Sequence, residues 1–378
     1  MKLFGWKAGR EVSRPALSRG AVGFGGGVTG DWPRSYEAQV REAYLGNAVA
    51  QRAVRLVAES LGGAPLVASD ARLLALVSAR TGGPPLLETI AAQLLLHGNA
   101  FVQVLARADG GPAALYPLRP ERVSVEADAQ GWPAAYRYQV GTSVARLSPD
   151  APRPEVVHLR GYHPLDDHFG AGCLSAASGA VAVHNATARW NKALLDNAAR
   201  PSGALVYDPG DGAALSPDQF ERLRAEMEAA FAGAANAGRP MLLEGGLKWQ
   251  PLSLSPADLD FAGTRAAAAR EIALAFGVPP MLLGLPGDST YANYKEANRA
   301  LWRLTVLPMA GAILDGLAAG LAGWAEWEGD GSASLAIDLD RVPALADDRA
   351  TLWATVSAAD FLTEAEKRAM VGLPAVPA

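Results

Sequence analysis

Three histidines, His158, His163 and His168, recur every five residues beside Asp166 and Asp167. Imidazoles and carboxylates together can hold a divalent metal. The spacing argues against it here. A five-residue interval does not bring ligands to one helix face, and Gly161, Pro164 and Gly170 mark a loop. A solvated or hydrogen-bonded loop is the preferred reading. The pairs Asp166/Asp167, Asp338/Asp340 and Asp347/Asp348 raise two-metal hydrolysis, but their turn and strand-end positions read as solvated carboxylates. Cys173 stands at a helix start, where a thiol pKa falls. No histidine or other base is placed to partner it, so it reads as a small buried residue.

Phosphate-loop and nucleophile-elbow motifs do not occur. Gly23–Gly27 lacks the strand and helix that would give a glycine run meaning. The expectation is therefore no catalytic residues, no metal and no cofactor. A metal-dependent hydrolase using the acidic and histidine residues stands as the alternative.

Polar rather than reactive chemistry gathers at one place. Gly277, Pro279 and Pro280 end a helix, because glycine takes the left-handed position and proline lacks an amide donor. From Gly284 to Asn293 the chain is polar, with no large aliphatic residue after Leu285. A second apolar period follows at Ala297, Leu301, Leu304 and Leu307. A loop of this kind, held between two long helices, reads as a presented functional element. Pro308 should kink the second helix, which runs from about Tyr291 to Trp324.

Half of the 378 residues are hydrophobic and 19% are charged, enough for a sizeable core. The net charge of −5 argues against tight nonspecific binding to nucleic acid over the whole surface. One cysteine excludes an intrachain disulfide and suits a reducing cytoplasm. The basic N-terminus is not followed by an apolar segment, so no signal peptide is expected. Neither Ala171–Ala188 nor Leu304–Leu314 reads as a membrane span.

The elements that must carry the loop follow in order. Residues 1–33 read as a flexible basic and glycine-rich arm, with a tie to a neighbouring subunit as the other reading. Periodicity predicts helices over 34–61 and 86–96. Strands then follow at 100–105, 114–116, 122–126, 135–140 and 156–159, giving an α+β domain with one small, largely antiparallel sheet. A helix rich in small residues covers 174–199. Residues 203–255 form a compact αβ insertion, with strands at 203–207, 241–244 and 247–252 and a helix over 217–232 capped by Ser216. Its basic residues Arg222, Arg224, Arg239 and Lys248 are offset by nearby Asp and Glu, a mixed surface suited to protein docking. A helix over 257–276 returns beside the first. Trp302, Trp324 and Trp327 read as core or inter-subunit packing. A strand at 333–339 precedes two C-terminal helices, the second opened by the capping box Thr363/Glu366.

Several stretches, in order, resemble the portal (head–tail connector) protein of long-tailed phages and gene transfer agents. They are Leu95–Phe101, Leu115–Pro120, Val157–Arg160 with Asp167–Gly170, Leu195–Gly203, Ile272–Gly284, Tyr291–Pro308, and Leu362–Arg368 with Gly372–Pro374. The Val-Pro-Pro-x-x-Leu-Gly element at 278–284 is the most specific. Gly170–Ser175 departs from the family's usual Gly-x-Ser-Pro-Leu turn. The resemblance implies a homo-oligomeric ring, usually of twelve copies, at one capsid vertex of a virion or gene-transfer-agent particle assembled in the host cytoplasm. Residues 34–170 would be the wing, with a wing strand at 333–343. Helices 172–200 and 257–277 would be the stem, 203–255 the clip and 344–378 a short crown. Gly284–Asn293 would be the tunnel loop and 291–324 the kinked tunnel helix. Asp288, Ser289, Thr290, Tyr291, Asn293 and Lys295 would meet double-stranded DNA in transit. Arg222, Arg224, Arg239 and Lys248 would dock the terminase large subunit and the head–tail adaptor. The major capsid protein is a further implied partner; a membrane is not.

Overall fold

A computed structural model of the chain describes residue 17 and residues 35–79, 83–150, 152–196, 203–207, 215–231, 247–251, 260–285, 291–327 and 332–373. Ser35 caps a short helix α1 (Tyr36–Val40), and a π-turn, Arg41–Leu45, follows it. At Gly46 a Cβ would lie 2.9 Å from the Arg41 carbonyl oxygen, and the chain breaks there. Asn47 then caps α2 (Ala48–Gly62), its side-chain oxygen accepting from the Val49 and Ala50 amides. The single helix expected over 34–61 is thus interrupted, because an asparagine side chain competes for amides that helix carbonyls would otherwise take.

The apolar face of α2 packs on α4 (Leu86–His97). Between them lie β1 (Leu66–Ala68) and α3 (Ala71–Ser78), two elements not anticipated from the sequence. Gly98 ends α4 at φ 83°, where a Cβ would come within 2.4 Å of the Ala171 carbonyl carbon. Backbone thus passes backbone at a point only glycine allows.

The small sheet expected here is two sheets. In the first, β2 (Asn99–Ala106) lies between β3 (Pro112–Leu118) and β7 (Val156–Arg160). In the second, β5 (Pro133–Val140) lies between β4 (Val123–Ala127) and β6 (Ser143–Leu147). All pairings are antiparallel, as expected. Strand β6 escaped notice because Ser143–Arg146 are all exposed, so it has no alternating apolar face.

Helix α5 (Cys173–Asp196) runs against α7 (Phe261–Ala275). Between them in sequence, β8 (Gly203–Tyr207) pairs antiparallel with β9 (Leu247–Pro251), and α6 (Pro217–Phe231) lies between those strands in sequence. The Ser216 cap is present, its hydroxyl accepting from the Gln219 amide at 3.3 Å. The readings at 1–16, 18–33, 197–202, 208–212, 241–246 and 257–259 fall outside the described residues.

Helix α8 (Tyr291–Leu301), a π-turn (Trp302–Val306) and α9 (Leu307–Leu321) form one continuous helix, prolonged to Trp324 by a 3₁₀ turn. Pro308 cannot supply the amide that the Leu304 carbonyl would accept from, and the π-turn stands directly before it. By length and composition this helix is apolar enough to cross a membrane. In the fold Leu301, Val306, Ile313, Leu314, Leu317 and Leu321 turn into the core. Strand β10 (Leu335–Ile337) pairs with β1, and α10 (Ala346–Ser357) and α11 (Glu364–Val371) are the last of the described elements. The expected capping box at Thr363 and Glu366 is present. The main core joins α2, α4, α5, α7 and α9. A smaller one between the two sheets holds Phe101, Leu118, Val123, Tyr136, Leu147 and Val156.

Candidate functional site

The joint between α7 and α8 is built from a sequence of local stops. Helix α7 ends as Gly277 takes φ 65° and the Val278 amide donates back to the Ala273 carbonyl at 2.9 Å. Pro279 and Pro280 start a single 3₁₀ turn, Pro280–Leu283, and Gly284 closes it at φ 71°. Phe276 and Val278 plug this turn into the core. The Thr305 hydroxyl in the π-turn donates to the Gly277 carbonyl at 2.6 Å, tying the end of one helix to the middle of the next. Asp288, Ser289 and Thr290 lie outside the described residues. Asn293 and Lys295 stand exposed on the first turns of α8, which begins at Tyr291.

Lys295 does not project free. Its Nζ lies 2.5 Å from Asp347 Oδ2 on α10. One turn on, Arg299 reaches Asp348 at 3.2 Å and Glu296 at 2.6 Å, and Arg303 approaches Asp348 at 3.9 Å. The hydrogen bond from Lys295 holds the Asp347 carboxyl below the usual aspartate range. Arg349 does the same for Asp340 through contacts of 2.6 and 2.9 Å, and Trp353 Nε1 also donates to Asp340. Asp338 caps the turn Leu339–Arg341. Asp338, Asp340, Asp347 and Asp348, weighed for metal chemistry, are thus bound to cations or backbone amides.

The three histidines diverge. His158 stacks on Phe101 at 4.1 Å, with Tyr136 Oη 3.1 Å from Nδ1 and Asn99 Oδ1 3.1 Å from Nε2. Burial, chiefly, pushes its pKa down to about 3. Asn99 is the hub of this contact: its Oδ1 also accepts from the Gly170 amide at 2.7 Å, and its Nδ2 donates to the Gly170 carbonyl. His168 Nε2 meets the Gly131 carbonyl at 2.6 Å, and His163 Nδ1 accepts from the Leu165 amide. Asp166 receives the His168 and Phe169 amides in a local turn. Among the described residues, no group of three His, Cys, Asp or Glu side chains is placed to hold a metal. Burial raises the Cys173 thiol pKa, the reverse of the activation weighed for it.

A second polar junction was not foreseen. Asn47 Nδ2 lies 3.0 Å from His184 Nδ1 and donates to Asn185 Oδ1 at 2.8 Å, while Arg265 Nε faces His184 Nε2 at 3.3 Å. It pins α5 to the start of α2 and to α7. Burial, then the Arg265 charge, lowers the His184 pKa and keeps the ring neutral. The signal was a His-Asn pair inside a run of small residues. In the insertion, Arg222, Arg224 and Lys248 are exposed, with Glu221 3.8 Å from Arg224. Arg239 falls outside the described residues. A groove of about 550 Å³ runs between α5 and α7, lined by small residues such as Ser175, Gly179, Thr264 and Ala267.

The described chain thus combines a helix pair, an interposed αβ module, two antiparallel sheets and a core helix interrupted by a π-turn. Over residues 48–372 the chain matches the family model described as phage portal protein, and it belongs to that family. It is 48% identical to a chain in a structure of the neck of a native gene transfer agent particle computed with C12 symmetry. That match has a TM-score of 0.69 and covers 91% of this chain and 95% of the other. An uncharacterised protein of Rickettsia felis is 40% identical over 351 residues, 89% of each chain. A probable portal protein of Streptomyces phage phiC31 is 30% identical over 221 residues, 57% of this chain and 47% of the other.

Proposed function

We propose that this chain is the subunit of a portal ring at one capsid vertex of a phage or gene-transfer-agent particle, through which double-stranded DNA is packaged and ejected. The observation that carries the reading is the near full-length likeness to a chain in a C12-symmetric neck, within a family match spanning 48–372. The α5–α7 hairpin is the stem, the β8–α6–β9 module the clip, the two sheets with α2 and α4 the wing, and α10–α11 the crown. Residues 284–293 are the tunnel loop. The clip, through Arg222, Arg224, Arg239 and Lys248, docks the packaging motor and then the head–tail adaptor. No catalytic step is assigned to the chain.

The physics suits a passage. A ring of twelve such chains carries about −60 charges, a net repulsion that lets DNA slide. Only 39% of the most apolar stretch of the Ala292–Trp324 helix is buried in the single chain, and Leu274 and Leu304 beside the joint are 80% and 78% exposed. Neighbouring copies cover these surfaces, and the small-residue groove between α5 and α7 admits them closely. The test deletes Asp288–Ala292. Rings should still form by light scattering and negative-stain imaging, while packaging or DNA retention fails. Unchanged packaging and retention would remove the loop from the mechanism.

A further inference from the structure

We propose that Lys295, Arg299 and Arg303 form a binding site for the phosphate backbone of duplex DNA, held shut by the Asp347 and Asp348 carboxylates until DNA displaces them. This rests on the channel reading above and adds to it a partner surface and a means of silencing it. The three cations recur every fourth residue on one helix face, each about 6 Å further along the axis. The row begins within the first turns after the loop. Such a row, left bare, would grip a polyanion and add to the salt-sensitive drag on sliding DNA.

It is not bare. Asp347, Asp348 and Glu296 supply three carboxylates to the three cations. Both aspartates sit in the first turn of α10, where the helix N-terminus favours negative charge. That helix is fastened separately: Arg349 binds Asp340 and also donates to the Val371 carbonyl at 2.7 Å. The helix that carries the carboxylates is therefore held in place, and the exposed Lys295 and Arg303 heads can exchange partners. Lys295 and Arg303 are 50% and 62% exposed, and ion pairs so exposed are individually weak. A phosphate chain drawn past the loop offers each cation a charge-assisted bond of equal kind. Arg299, 24% exposed, is the inner member of the row. Its exchange comes last.

The test uses the full-length chain and a fluorescent duplex of arbitrary sequence, titrated at several salt concentrations. D347N/D348N should raise affinity about threefold or more and steepen the salt dependence by about 1–2 in the log–log slope, given about 0.9 per phosphate contact. K295Q/R303Q added to that variant should return both to the parent values or below. D360N/E364Q, which removes the same charge elsewhere on the C-terminal segment, should change little. The inference is overturned if D347N/D348N shows no gain, if the control pair gains equally, or if the gain survives K295Q/R303Q. Circular dichroism melts confirm folding, and D347N alone, with half the charge change, should give an intermediate gain. If loop deletion abolishes packaging while D347N/D348N gains nothing, the channel reading stands and this one falls.

Discussion

Gly277→Ala tests whether the joint below the loop is held as the structure shows. At φ 65° an alanine costs about 1–2 kcal/mol in backbone strain. Its Cβ would also lie 2.8 Å from Thr305 Oγ1, so the threonine must rotate and surrender its bond to the Gly277 carbonyl. That loss adds about 1 kcal/mol, the net worth of an ordinary hydrogen bond. Gly277→Ala should therefore destabilise the full-length chain by about 2–3 kcal/mol in urea unfolding, and Thr305→Ala alone by about 1. With Thr305 already truncated, there is no clash and no bond left to lose. The double variant should then cost no more than Gly277→Ala by itself, a coupling of about 1 kcal/mol. Additivity within about 0.3 kcal/mol would refute the contact, and a neutral Gly277→Ala would refute the strain. DNA retention should fall with the single glycine variant, because the loop is launched from this joint.

His158 makes the two-sheet region sensitive to acid. Its folded pKa of about 3 lies below the ordinary 6.5, so the unfolded chain binds the extra proton between these values. Stability is complete above the unfolded pKa and declines as pH falls through that window. From pH 7 to 5 the loss should be about 2 kcal/mol, and His158→Gln should flatten the slope of a stability–pH curve by that amount. The lowered pKa values of His97 and His184 act in the same direction. If the β8–β9 module docks the motor and adaptor as proposed, Arg239→Glu or Lys248→Glu should weaken their binding in a pull-down by several fold while leaving the ring intact; unchanged binding would exclude these residues from the docking face.

What could be read in advance was what local chemistry decides. Gly277 sits at positive φ at a helix end and Thr363 closes its capping box, because caps and stops depend on neighbours a few residues away. Contacts across the chain were not legible. Strand β10 falls inside the strand read at 333–339, but its partner β1 has three residues and no usable period, and the pairing of the two could not be foreseen. Lys295 read as a cation offered to the channel because Asp347, fifty-two residues on, could not be placed beside it. His158 looked like part of a ligand series, yet it sits in the apolar strand Val156–Arg160, and an inward-facing imidazole in such a strand is more often a buried hydrogen-bonding group. The Gly46-Asn47 break was hidden because the apolar period of α2 extends back through Ala43 and Leu45.

The pairing of β1 with β10 has a consequence for how the chain is made. Leu66 lies opposite Ile337, about 270 residues later, and at typical synthesis rates roughly 15–50 s separate their emergence from the ribosome. During that interval α2 and α4 have no α9 to cover them, since Ile313, Leu314 and Leu317 belong to the same core. The early half of the subunit must wait with apolar surface open, and the last quarter of the chain acts as its closing clasp.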